Sequence, residues 1–283
     1  MGTRQAGHPT VMLAKAATYV TLIVTGALFA APFLWMVSTS LRPDELVFSD
    51  KVGWIPNPPA WSNYSRALHA FPFVRYLANT LFITLTAMVG QIVTSSMVAY
   101  SFARLRWPGR DVWFLVLLST MMLPSFVTLV PQFIIFKQLG WLNTYYPLII
   151  PYFLGGGPFS IFLLRQYFLT IPQELSEAAR LDGASNWGIY YRLILPLAGP
   201  ALAAVAIFGF IFHWNEFTGP LVYLNKRDMW TLSLGLISFR TEFGTYLNQL
   251  MAASIVMLLP VLALFFGAQR YFIQGIALSG LKG

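Results

Sequence analysis

Glu177-Ala178-Ala179-Arg180-Leu181-Asp182-Gly183-Ala184, followed by Ile194-Leu195-Pro196-Leu197 and Pro200, is a charged, glycine-punctuated stretch set between two strongly apolar segments. The chain around it has 283 residues, 57% of them hydrophobic and only 10% charged. About a quarter of residues are charged in soluble domains, so this composition excludes one. A charged interruption of that length in so apolar a chain marks a surface outside the lipid.

The charges are segregated. Asp, Glu, Lys and Arg are missing from 16–41, 76–103, 112–136, 138–164, 193–215 and 243–269, spans of 23 to 28 residues. About 20 apolar residues suffice to cross a bilayer as a helix, and one charge at its centre costs roughly 2.5–3.5 kcal/mol on insertion scales. The expected fold is an all-α membrane protein with six transmembrane helices over 16–268. Residues 1–15 read as an N-terminal segment, 165–192 as the loop between helices four and five, and 269–283 as a glycine-dotted, extended tail. The first span is too long for a cleavable signal peptide and is expected to remain as helix one.

The net charge of +8 does not indicate nucleic acid, because the 18 basic residues are scattered without a basic face or run. Absence of cysteine removes disulfides, thiolate metal sites and cysteine catalysis together, and leaves the redox compartment open. Orientation follows the basic residues. The short connection 104–111 carries Arg104, Arg106 and Arg110, and short basic loops lie in the cytoplasm. Both termini and the Glu177 stretch are then cytoplasmic.

Several connections carry pattern of their own. The external stretch 42–75, rich in proline and tryptophan, reads as a loop on the membrane surface or a partner contact. Helix three contains Pro124 and Pro131, and helix four contains Pro151 and Gly155-Gly156-Gly157-Pro158. Such breakers fit helices that line a path or move, and equally static kinks. The apolar patch 229–239, too short to span, is expected to dip into the membrane edge or meet a partner. His213 and Glu216 read as hydrated residues near an external helix end.

Within 165–192, Pro172 suits a first helical turn, Glu174 and Glu177 favour the positive end of the helix dipole, and Gly183 suits a left-handed cap. A helix over 172–182 is predicted, about 16 Å long. Helix phase places Leu175, Ala178, Ala179 and Asp182 on one small-residue side, with Ser176, Glu177 and Arg180 on the adjoining polar side. Ser185 is predicted to cap a second helix bearing an aromatic stripe of Trp187, Tyr190, Tyr191 and Ile194, at the membrane surface or against the bundle. Pattern alone leaves two roles open: a hairpin packed beneath its own bundle, or a docking surface.

Glu177-Ala178-Ala179-x-x-Asp182-Gly183-Ala184 with Ile194-x-Pro196 and Pro200 resembles the signature loop of inner-membrane permeases of binding-protein-dependent ABC importers. Pro32 to Leu41, Asn63-Tyr64, Asn79-Thr80, Ala99 to Arg104 and Trp214 to Phe217 resemble the carbohydrate-uptake branch, above all the six-helix permease of the maltose/maltodextrin type. The resemblance covers nearly all of 30–283. It implies a subunit of a prokaryotic inner membrane that forms half of a pathway for a sugar, a di- or oligosaccharide, by alternating access.

The implied partners are a second permease in a heterodimer, two copies of a cytoplasmic ATPase and an extracytoplasmic solute-binding protein. The resemblance makes Glu177, Ala178, Ala179, Asp182 and Gly183 the coupling helix that seats in the ATPase, with Glu177 as the charged contact and the alanines as the close-approach face. It makes Gln274 and Gly275 contacts of the tail with the ATPases, and 224–247 a contact region for the binding protein. No catalytic residue, metal or cofactor is expected in the chain: it has no GxxxxGK[ST] loop, and ATP and Mg belong to the partner ATPase. No aromatic stands out among 46 as a sugar platform.

Other solutes, including sugar phosphates, fit the same family pattern. A stand-alone secondary transporter would need carboxylates or histidines within the membrane, which the six spans lack except at their edges. An intramembrane enzyme would need a cluster of reactive side chains, and the three histidines (His8, His69, His213) are far apart in sequence.

Overall fold

The computed structural model describes residues 9–49, 53–241 and 244–280. The long helices are α1 (Pro9–Ser40), α3 (Phe73–Arg104) and α14 (Leu247–Gly280), and α2 (Ser62–His69) lies between the first two. Then follow α4 (Arg110–Ser119), α5 (Ser125–Gln138), α6 (Tyr146–Gly155), α7 (Pro158–Thr170), α8 (Gln173–Leu181), α9 (Asn186–Ile189) and α10 (Leu195–Leu197). After these come α11 (Gly199–Asn215), α12 (Thr218–Tyr223) and α13 (Leu232–Gly235). Strands β1 (Arg240–Thr241) and β2 (Gly244–Thr245) form a small antiparallel hairpin, with Arg240 opposite Thr245 and Thr241 opposite Gly244.

Among the described residues, four helical stretches are long and apolar enough to cross a bilayer: Met12–Ser40, Phe73–Arg104, Tyr146–Thr170 and Leu247–Gln269. Two bent pairs raise the number to six if each is one span. The pair 110–122 and 125–138 turns by 99°. Leu123 is extended there because the ring of Pro124 disfavours helical backbone in the residue before it. The pair 186–197 and 199–215 turns by 77° at Ala198, ahead of Gly199-Pro200. Within 146–170, Gly156 and Gly157 take positive φ of 64° and 96° and divide α6 from α7. A side chain at Gly156 would strike Ser95, so the glycine lets this break lie directly on α3.

The chain forms two compact units. One holds α1, α2 and residues 238–257. In it Asn63 is fully buried and its amide donates to the carbonyls of Ser40 and Arg42, each at 2.8 Å. The Asn248 amide donates to the Arg42 carbonyl and to Asp44, and Arg66 pairs with Asp44 at 2.8 Å. These partners hold the Asp44 carboxyl below its ordinary pKa. The Arg42 guanidinium lies over the Trp35 ring at 4.4 Å, and Trp54 meets the same ring edge-on. Residues 42–49 and 53–66 therefore fold back on the end of α1. Asn63→Leu is expected to lower unfolding free energy by about 1–3 kcal/mol, since the Ser40 carbonyl loses its donor while the Arg42 carbonyl keeps Asn248. Thermal unfolding in detergent reads this, and an unchanged midpoint contradicts it.

The other unit is organised on α3, which packs against α6, α7 and α11. At one end Ala99, Tyr100, Phe102 and Ala103 of α3 meet Phe114, Leu164, Phe168 and Ile194 in an apolar cluster. Toward the other end Ile83 meets Phe136, Leu148, Ile149 and Tyr223. There Asn79 donates to the carbonyls of Asp228 and Trp230, and the Thr80 hydroxyl accepts from Leu232 N–H.

Two expectations are corrected. The 229–239 patch is not a free surface: residues 231–235 are buried, and 228–232 is latched to α3 by Asn79 and Thr80. The tail is not extended, because α14 runs without a break to Gly280. Lone glycines at 275 and 280 cost about 1 kcal/mol each in a helix, and no proline follows Pro260 to stop it.

Candidate functional site

The charged stretch folds as α8, close to the predicted span. Pro172 is its N-cap residue, with extended ψ of 136°, so the ring starts the helix from just outside rather than from its first turn. Glu174 lies in the first turn and Arg180 in the last, each matching the dipole at its end. The helix closes with two reversed hydrogen bonds: Ala184 N–H to the Ala179 carbonyl at 2.9 Å, and Gly183 N–H to the Arg180 carbonyl at 3.0 Å. Gly183 has φ +83°, which completes a Schellman motif. A Cβ at Gly183 would meet nothing within 4 Å, so only the backbone demands glycine. Gly183→Val should cost about 1–2 kcal/mol or more. Gly183→Asn should cost visibly less, because asparagine tolerates this conformation. Equal thermal midpoints for the two variants would contradict the assignment.

The faces of α8 differ from the predicted phase. Ser176 is only 2% exposed, and Ala179 packs with Ala184 against the apolar cluster. The Schellman motif explains this, because it brings the third-last helical residue and the second residue past the cap onto one apolar contact. The two alanines are thus divided: Ala179 faces the bundle, whereas Ala178 is exposed. Leu175, Ala178 and Leu181 form an outward apolar strip, with Leu181 90% exposed. Glu174, Glu177 and Asp182 are exposed beside it.

The second arm begins as expected, with Ser185 Oγ accepting from Gly188 N–H at 3.2 Å. It then takes a π turn over Tyr190–Ile194. The predicted stripe is split. Ile189, Tyr190 and Ile194 are buried, while Trp187 and Tyr191 are exposed.

The C-terminal part of α3 grips both arms. Arg104, 9% exposed, donates to the Phe168 and Ile171 carbonyls where α7 ends and the chain turns into α8. Tyr100 donates to the Asn186 carbonyl at 3.1 Å, and the hydroxyls of Ser96 and Tyr190 share a hydrogen bond of 2.8 Å. Arg165 lies over the Phe114 ring at 4.0 Å and donates to the Phe102 carbonyl. The α8 helix is thus held at its base by Arg104 and closed at its end by the Schellman motif. Chemically, α8 offers a narrow apolar strip with carboxylates alongside.

Neither His213 nor Glu216 is simply hydrated. His213 is 5% exposed and Nε2 lies 3.0 Å from Gln91 Oε1, while Gln91 Nε2 donates to Ser160 Oγ at 2.7 Å. Tyr152 sits edge-on to the His213 ring at 4.4 Å, and Gly209 leaves room for Gln91. The Glu216 carboxylate accepts from Gly219 N–H at 2.7 Å. Sequence reading passed over Gln91. Its only signal was a long polar side chain in the middle of an apolar span. Gln274 and Gly275 lie on the C-terminal part of α14, and their side chains are outside the described residues.

Residues 91–278 match the family described as binding-protein-dependent transport system inner membrane component. The chain belongs to this family of ABC importer permeases. This permease is 34% identical over 256 residues to the arabinooligosaccharides transport system permease of Halalkalibacterium halodurans, covering 89% of its own length and 91% of the relative. It is also 34% identical over 267 residues to the sn-glycerol-3-phosphate transport system permease of Yersinia enterocolitica, with 91% and 94% covered. Among solved structures, a bacterial ABC transporter involved in the import of the acidic polysaccharide alginate superposes with a TM-score of 0.78 at 26% identity, over 94% of this permease and 98% of that chain.

Proposed function

We propose that this permease forms half of a translocation pathway for a di- or oligosaccharide, with α8 as the coupling helix that seats in a cytoplasmic ATPase. The observation that carries the coupling role is the outward strip of Leu175, Ala178 and Leu181 on a helix capped at Gly183 and clamped through Arg104 and Tyr100. Glu177 supplies the charged contact beside that strip, and Asp182 lies at its C-terminal edge. Gly183 keeps the geometry fixed, and Ala179 serves from the inner side as the residue that lets α8 lie close to its own bundle. The two bent pairs complete six transmembrane spans, with both termini and the α8 loop in the cytoplasm. A second permease, two ATPase copies and an extracytoplasmic binding protein complete the importer.

Movement is rocking of the two permeases between outward and inward states, biased by ATPase closure through α8. The sugar reading rests on oligosaccharide-named relatives. A sugar phosphate is the second reading, favoured by the glycerol-3-phosphate-named relative at equal identity. The test is reconstitution in proteoliposomes with the partner subunits and the binding protein. ATP-dependent uptake of an oligosaccharide is expected, and Glu177→Lys should abolish it. Uptake that persists without the ATPase would overturn the reading.

A further inference from the structure

Three arginines that make no ion pair among the described residues converge beside α8. Arg104, Arg106 and Arg180 line a groove of about 500 Å³ together with Trp107 and Gln173, and Glu177 is its single carboxylate. Arg104 is buried, and its Nε has no acceptor. Glu177 offsets one of these three charges, so the groove keeps a net positive charge that an anion would balance. Trp107 also lines a second, apolar groove of about 490 Å³, formed with Val98 and Phe102 of α3, Val116 and Leu117 of α4, and Pro158 and Ile161 of α7.

A basic pocket and an apolar channel that share one tryptophan have the two-part chemistry of an anionic phospholipid. We propose that this composite groove is a binding site for one such lipid, with its phosphate between Arg106, Arg180 and Arg104 and an acyl chain along Val116 and Leu117. Arginine matches phosphate geometry through its planar fork, and tryptophan favours the level of lipid headgroups. Basic pockets between transmembrane helices on the cytoplasmic side are suited to anionic headgroups. Arg180 lies on α8 itself, so the lipid would tie α8 to the α3–α4 turn and make its position sensitive to membrane composition. The site requires only that this end of α3 lie at the membrane surface. The lipid test needs no ATPase or sugar, so its failure is distinct from a failure of the transport reading.

The full chain is purified in detergent and offered equal amounts of phosphatidylglycerol and phosphatidylethanolamine with identical acyl chains, and retained lipid is counted by native mass spectrometry. Preferential retention of one phosphatidylglycerol is expected. The Arg106→Gln/Arg180→Gln double variant should lose that preference by about thirtyfold, in line with the contribution of two basic groups at a membrane surface. Val116→Trp, which fills the apolar channel, should reduce retention without touching a charge. Inorganic phosphate at millimolar concentration should not displace the lipid, and displacement would assign the groove to a free anion instead. Equal retention of the two lipids by the wild-type chain, or an unchanged preference in both variants with native thermal midpoints, would overturn the proposal.

Discussion

Leu181→Arg should prevent stable assembly with the ATPase. Leu181 is 90% exposed at the C-terminal end of the outward strip, where with Leu175 and Ala178 it makes a contiguous apolar surface of the kind that partners cover. Covering a leucine completely contributes about 1.5–3 kcal/mol, so its loss alone weakens association by roughly 10- to 100-fold. An arginine forced into the same cleft adds a desolvation cost. Because the side chain contacts solvent in this subunit, the variant should keep its thermal midpoint. Size-exclusion chromatography of the mixed subunits measures the loss directly, and normal co-elution would contradict the face assigned to α8.

The second large effect is expected at Arg104. Its guanidinium satisfies the carbonyls of Phe168 and Ile171, at the junction that sets the direction of α8. Arg104→Met leaves the Ile171 carbonyl without its side-chain donor, at a cost of about 1–3 kcal/mol, while the Phe168 carbonyl keeps only the Ile171 N–H at 3.3 Å. The outward strip remains chemically intact, so the ATPase should still bind. What should fail is transmission: ATP hydrolysis persists but is no longer stimulated by the loaded binding protein. Loss of binding together with stimulation would assign Arg104 to the docking surface instead. Full stimulation would show that the clamp is dispensable.

The helices were legible where one local rule acts alone. Charge-free spans located the apolar helices, Pro172 and Gly183 bounded α8 within a residue or two, and Ser185 announced the next cap. The break at Pro124 was legible as a breaker, but its 99° turn was not, because neighbours set the angle. Helix phase divided small from polar residues on α8 without saying which side faces in. Reading Gly183-Ala184 as a Schellman end would have set it, since Ala179 and Ala184 must then share an apolar contact. Arg104 and Gln91 were hidden for a different reason. Their partners lie more than 60 residues away, and no local pattern encodes such pairing. The fate of the 229–239 patch was hidden likewise, because its latch is Asn79-Thr80, some 150 residues earlier.

The central claim, that the exposed strip of α8 seats in the ATPase, has a direct test because the chain contains no cysteine. Ala178→Cys places a single thiol on the outward face of α8. In the permease alone a maleimide should label it rapidly. With the ATPase assembled the thiol should be protected at least tenfold, while the Trp54→Cys variant, whose thiol sits at an exposed position in the 42–75 stretch, should label equally in both states. Equal labelling of the Ala178→Cys variant with and without the bound ATPase would contradict the account.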